Sequence, residues 1–69
     1  MMMIVFLNNQ LINILEGSTI PVLLKTAGIE DIQGTAVAVN NIVISREVRE
    51  SHVLNDQDKV LVIRAAKGG

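Results

Sequence analysis

The stretch STIPVLLKTAG, Ser18 to Gly28, carries a complete set of helix signals in a chain that otherwise reads as strand and turn. Thr19 is an N-cap residue type, suited to bonding one of the first unpartnered N–H groups of a helix. Pro21 is tolerated only in a first turn, where its missing N–H costs nothing. Gly28 supplies the left-handed conformation on which helices commonly stop. Between these marks Ile20, Leu23, Leu24 and Ala27 recur at i, i+3, i+4 and i+7, which gathers them on one helix face. A short helix with a single apolar face must lay that face on something, and a sheet is the available partner.

The flanking segments supply that sheet. Met2 to Leu7 and Leu11 to Leu15 are apolar, β-prone runs separated by NNQ, and an Asn pair tolerates the positive φ that a tight hairpin turn demands. They predict a first hairpin. After the helix, IEDIQG reads as a polar loop. TAVAV and IVI then flank Asn40-Asn41 as a second hairpin, or as one strand with a sharp corner. SREVRESHVLNDQD is polar and irregular, with room for one helical turn, and KVLVIRAA is a strong last strand. The resulting order, ββαβ(β)β, predicts an α+β fold: a mixed sheet of four to five strands with one helix packed across one face. The strands Ile4–Leu7 and Val60–Ile63 are apolar on both sides of the pleat. The face opposite the helix is therefore partly apolar too, which fits either incompletely covered central strands or a docking surface.

Composition narrows the function. With 69 residues the chain is one domain, near the size at which a core supplies only about 3 to 5 kcal/mol, yet 49% of it is hydrophobic and it is expected to fold. Net charge is −1, there is no basic cluster and Phe6 is the single aromatic, so nucleic acid is not an expected partner. Cysteine is absent, which removes disulfides and thiolate chemistry and fits a reducing compartment. No apolar run approaches the roughly 18 residues of a membrane span, and MMMIVFLNNQ lacks the basic residues and cleavage site of a secretory signal. A cytoplasmic protein without a membrane partner is expected.

Catalytic chemistry finds little material. His52 is the only histidine, and no Cys, Tyr or Trp accompanies it. Ser18, Ser45 or Ser51 could be written into a triad with it, but no nucleophile-elbow motif surrounds any of them, and His52 reads as a loop residue. The run REVRE, Arg46 to Glu50, reads as a solvated charged segment. Asp56 and Asp58 lie too close together for a calcium loop and read as turn chemistry; no metal site is expected. No Gly-rich loop leads into a helix to cradle a phosphate.

The unusual feature is the ending, IRAAKGG, Ile63 to Gly69. Two terminal glycines follow a strong strand with only small residues and one lysine between. At about 3.3 to 3.6 Å per extended residue, Ala66 to Gly69 can reach roughly 13 to 14 Å beyond the sheet. Glycine carries no Cβ, so the walls of a narrow channel on another protein can close on such a tail; a frayed end is the plainer reading.

These features together resemble the ThiS-type sulfur carrier proteins of thiamine biosynthesis, small ubiquitin-like β-grasp domains. The residues that carry the resemblance are EGST before the helix, Leu23-Leu24 within it, AVAVNNIVISR from Ala36 to Arg46, Leu54, DKVLVIRAA from Asp58 to Ala66, and Gly68-Gly69. The chain departs from the family pattern at Ser45, often Pro, at Val48, often aromatic, and at Gln57, often Gly. The resemblance implies a β-grasp domain over residues 1–65 and a flexible tail over 66–69. It implies no catalysis by this chain and no bound cofactor. An adenylyltransferase of the ubiquitin-activating kind would use ATP and Mg²⁺ to activate the Gly69 carboxylate, a persulfide donor would convert it to a thiocarboxylate, and thiazole synthase would receive the sulfur. Gly68, Lys67 and Ala66 would be the tail that partners recognise, with Val60, Val62 and Arg64 as candidate docking residues. Related roles fit the same ending: a molybdopterin synthase small subunit-like carrier, or a ubiquitin-like modifier conjugated through Gly69.

Overall fold

Two asparagine pairs turn the chain back on itself. Asn8 and Asn9 have φ of 49° and 70°, and Asn40 and Asn41 have 51° and 70°; two successive positive φ values make the hairpin turn whose twist matches that of the strands. The first turn joins β1 (Met2–Leu7) to β2 (Gln10–Leu15), and the second joins β3 (Thr35–Val39) to β4 (Ile42–Ile44). The computed structural model describes residues 1–29 and 35–64. Residues 30–34, most of the expected polar loop, and 65–69, with the expected tail, lie outside the described residues.

Helix α1 (Ile20–Thr26) follows the first hairpin, with Thr19 at its N-cap and Pro21 in its first turn. Thr19 makes no side-chain cap bond. The C-terminus is closed by two bonds: Gly28, at φ 79°, donates to Lys25 O at 3.1 Å and Ile29 donates to Leu24 O at 2.8 Å. This pair of bonds is the Schellman arrangement, completed by an apolar residue after the glycine; Ile29 packs against the core. One expectation is corrected here. Ile20, Leu23 and Leu24 are buried, but Ala27 is exposed, because the helix ends at Thr26 and Ala27 is already the C-cap.

The strands form one sheet in the order β2-β1-β5-β3-β4, with β5 (Lys59–Arg64) in the centre. β1 and β5 are parallel; the other pairs are antiparallel. A parallel pair needs a crossover connection, and the chain between β1 and β5 contains the helix. The α+β expectation therefore holds, with five strands. Because side chains alternate across a strand, Met3, Val5 and Leu7 of β1, Val37 and Val39 of β3, and Val60 and Val62 of β5 share the face covered by α1. They form one core with Ile14, Ile20, Leu23, Leu24 and Leu54.

The polar segment after β4 is more ordered than its composition suggests. It opens with a single helical turn, α2 (Arg46–Arg49), and then crosses to the start of α1. There Ile20 donates to His52 O at 3.3 Å, Leu54 donates to Ser18 O at 2.9 Å, and Thr19 bridges Val53. The reading of Arg46 to Glu50 as wholly solvated is corrected at one residue: Arg49 is buried, and its Nη2 donates to Thr35 O at 3.2 Å. The Thr35 carbonyl at the start of β3 is a buried partner that only the folded chain brings within reach.

Candidate functional site

β5 is the strand that leads to the terminal residues, so its setting decides how they are presented. β1 runs alongside it only from Phe6↔Lys59 to Leu7↔Val60 and then turns away. Beyond that point β5 would have one unpaired edge. The Asn8 side chain takes the place of the missing strand: Val62 N donates to Asn8 Oδ1 at 2.9 Å, and Asn8 Nδ2 donates to Val62 O at 3.4 Å. On the other side β3 accompanies β5 from Val39↔Val60 to Thr35↔Arg64, and Arg49 holds the Thr35 carbonyl at that end.

The entry to β5 is built by the second asparagine turn. Lys59 N donates to Asn40 Oδ1 at 3.0 Å and Asn40 N donates to Lys59 O at 2.8 Å. Asn40 Nδ2 reaches Asp58 Oδ1 at 3.0 Å, and Asp58 Oδ2 accepts from Asn55 N at 2.8 Å. Asp56 Oδ1 accepts from Ile4 N at 2.9 Å. Both aspartates thus serve main-chain geometry, in keeping with turn chemistry. The same turn holds Gln57 at φ 70°, the conformation glycine adopts without cost. Each asparagine pair therefore makes a hairpin and holds one part of the central strand. The first role was legible in the sequence; the second requires knowing which strand lies beside each turn.

The face of the sheet away from α1 is open and apolar. Pleat alternation assigns Phe6, Leu11, Leu15, Ala36, Ala38, Val43, Leu61 and Ile63 to it. Leu61 and Ile63, on the central strand, are 48% and 52% exposed. This corrects two candidate docking residues: Val60 and Val62 are 2% and 8% exposed and face the helix. An apolar strand offers either parity to solvent until the helix chooses one. Arg64 ends β5, and its side chain lies outside the described residues, as do Ala66, Lys67, Gly68 and Gly69.

Nothing in the described residues assembles a catalytic centre. No group of three or more His, Cys, Asp or Glu is placed to hold a metal ion among them. Ser18 is buried, Ser51 Oγ donates to the Val48 carbonyl, and no hydrogen bond joins His52 to a serine hydroxyl among the described residues. No helix of the described residues is long and apolar enough to cross a membrane.

Comparison with known proteins agrees with this architecture. The profile of the ThiS family matches residues 5–69, nearly the whole chain and its final residue included. The crystal structure of a thiamine biosynthesis protein, ThiS, from Geobacter metallireducens superposes with a TM-score of 0.81 at 22% sequence identity, covering 97% of this chain and 100% of that one. Such identity speaks for a shared fold, here the β-grasp. No curated protein matches. A family match over residues 5–69, on a five-stranded sheet whose central strand leads to the terminal glycines, places the chain in the ThiS family.

Proposed function

We propose that this chain is a sulfur carrier protein of thiamine biosynthesis, with the carboxylate of Gly69 as the group that bears sulfur. The observation that carries the reading is the course of β5: the central strand, held on both sides, leads to Gly68-Gly69, and the family match runs to that last residue. A terminal carboxylate has a pKa near 3.3 to 3.7, so at neutral pH it is an unreactive anion that must be activated. The Gly69 oxygen attacks the α-phosphorus of ATP on a partner adenylyltransferase, pyrophosphate leaves, and an acyl-adenylate results. A persulfide sulfur attacks the acyl carbon and displaces AMP. A thiol then cleaves the sulfur–sulfur bond, leaving a thiocarboxylate on Gly69 and a disulfide on the donor side. The thiocarboxylate is the form that delivers sulfur to thiazole synthase.

The chain's own part is to be gripped and threaded. Leu61 and Ile63 give the adenylyltransferase an apolar surface on the strand that leads into its channel, and Gly68-Gly69 enter where a side chain would not fit. The test is ATP–pyrophosphate exchange by the adenylyltransferase with the full chain and with Gly69 deleted. Deletion withdraws the carboxylate by about 3.5 Å, where a misplacement of 1 Å already costs about a hundredfold in rate. The truncated chain is expected to fold and fail to support exchange; exchange at the full rate would overturn the reading. Intact mass of protein from the native host separates carrier from modifier, since replacement of one oxygen by sulfur marks a carrier and branched Gly-Gly on target lysines marks a modifier.

A further inference from the structure

We propose that this protein self-associates into a two-fold dimer by antiparallel pairing of β2 with β2 of a second copy, centred on Asn13. The inference is independent of the proposed function. β2 is an edge strand, and edges normally carry charge, proline or a bulge that discourages pairing. Gln10–Leu15 has none of these: its residues are QLINIL, and its register with β1 is continuous over all six positions.

The hydrogen-bond phase of β2 follows from its turn. Leu7 and Gln10 flank the Asn8-Asn9 turn and form a hydrogen-bonded pair, so Val5↔Ile12 and Met3↔Ile14 do as well, in step with Glu16 N donating to Met1 O at 2.8 Å. Leu11, Asn13 and Leu15 therefore point their main-chain N–H and C=O groups away from β1. The segment Leu11 to Leu15 reads LINIL, the same in both directions. In a two-fold antiparallel pair centred on Asn13, each residue consequently meets its like: Leu11 faces Leu15 of the other copy, Ile12 faces Ile14, and Asn13 faces Asn13. A two-fold interface must be self-complementary in this way.

The bonds can be enumerated. The Asn13 residues exchange two N–H···O bonds, and each Leu15 N–H donates to the opposite Leu11 carbonyl, giving four. The Leu15 carbonyl already accepts from Ser18 N at 3.1 Å. Sliding the pair by two residues keeps four bonds but sets Leu11 against Asn13, so that the apolar side chains of Leu11 and Leu15 no longer face their like. In the centred register Leu11 and Leu15, 54% and 63% exposed in the single chain, cover one another across the two-fold. The other edge is a poorer site: β4 has three residues, and only Val43 points its main-chain groups outward. A joined strand about 20 Å long falls short of a standard interface, so the dimer is weak and forms with rising concentration. It leaves β5, two strands away, accessible.

Sedimentation equilibrium from micromolar to millimolar protein, with amide exchange followed by NMR at both ends of that range, tests the proposal. The mass is expected to rise from 7.5 kDa toward about twice that, with Asn13 and Leu15 amides gaining protection on association. Asn13→Pro removes only an outward-facing N–H from the edge and is expected to stay a monomer with an unchanged circular dichroism spectrum. Should that variant misfold, Leu11→Lys, at a side chain exposed on the open face, gives the second reading and is also expected to stay monomeric. A single-chain mass at every concentration, growth beyond two chains, or dimerisation without protection at Asn13 and Leu15 would each overturn it.

Discussion

Asn8 and Val62, 54 residues apart in the chain, exchange two hydrogen bonds between the Asn8 side chain and the Val62 main chain. The pair lets the first hairpin turn stand in for a strand where β1 has ended. Asn8→Gly keeps the positive φ of the turn but removes the clamp. A typical hydrogen bond contributes about 0.5 to 1.5 kcal/mol net, so a loss of about 1 kcal/mol is expected, seen as a drop of about 4 to 8 °C in Tm. The Val62 amide should exchange faster while amides of β3 keep their protection. Unchanged Val62 exchange would show that the clamp contributes nothing.

The helix gives a contrast between neighbours. Leu24 is buried and Ala27 is exposed. Leu24→Ala is expected to cost about 2 to 5 kcal/mol, comparable with the whole stability of so small a domain. Ala27→Ser should stay within about 0.5 kcal/mol. Urea denaturation of the two variants checks the assignment, and similar midpoints would contradict it.

On β5 adjacent positions should behave oppositely. Leu61→Asp places a charge on the open face and should leave the melting curve close to wild type. Val62→Asp places it inside the buried core and should unfold the chain, because a buried unpaired carboxylate is far more costly than a lost methyl group. Under the proposed function Leu61→Asp also weakens capture by the adenylyltransferase, measured as a raised half-saturation concentration in pyrophosphate exchange.

Gln57 sits at φ 70°, where a residue with a Cβ is strained by about 1 to 2 kcal/mol. Glycine relieves that strain and gives part of it back through the greater freedom of the unfolded chain. Gln57→Gly is expected to stabilise by about 0.5 to 1 kcal/mol, read as a higher urea midpoint. A lower midpoint would mean that Gln57 makes a compensating contribution.

Gly68→Val tests the tail without shortening it. The domain should melt as wild type does, since a glycine has no side chain to contribute to a core. Under the proposed function, exchange of ATP and pyrophosphate should be lost, because a β-branched side chain does not fit a channel that closes on glycine. Full exchange by this variant would count against tight enclosure of the penultimate residue.

Much of this could be read from residues alone, because the signals are local. Asn-Asn between two β-prone runs tolerates the positive φ of a hairpin turn, Pro21 and Gly28 bracket a helix by what their backbones permit, and Gly68-Gly69 needs no fold to be noticed. Tertiary structure decided what local chemistry leaves degenerate. β5 is apolar at Val60, Leu61, Val62 and Ile63 alike, so only the helix, by covering one side of the pleat, separates buried valines from exposed Leu61 and Ile63. Arg49 carries no mark of burial; the Thr35 carbonyl, 14 residues away, draws it in. Asn8 is a turn residue in the sequence and a strand substitute in the fold, because its second partner lies across a parallel pairing that exists only once the chain has crossed over and returned.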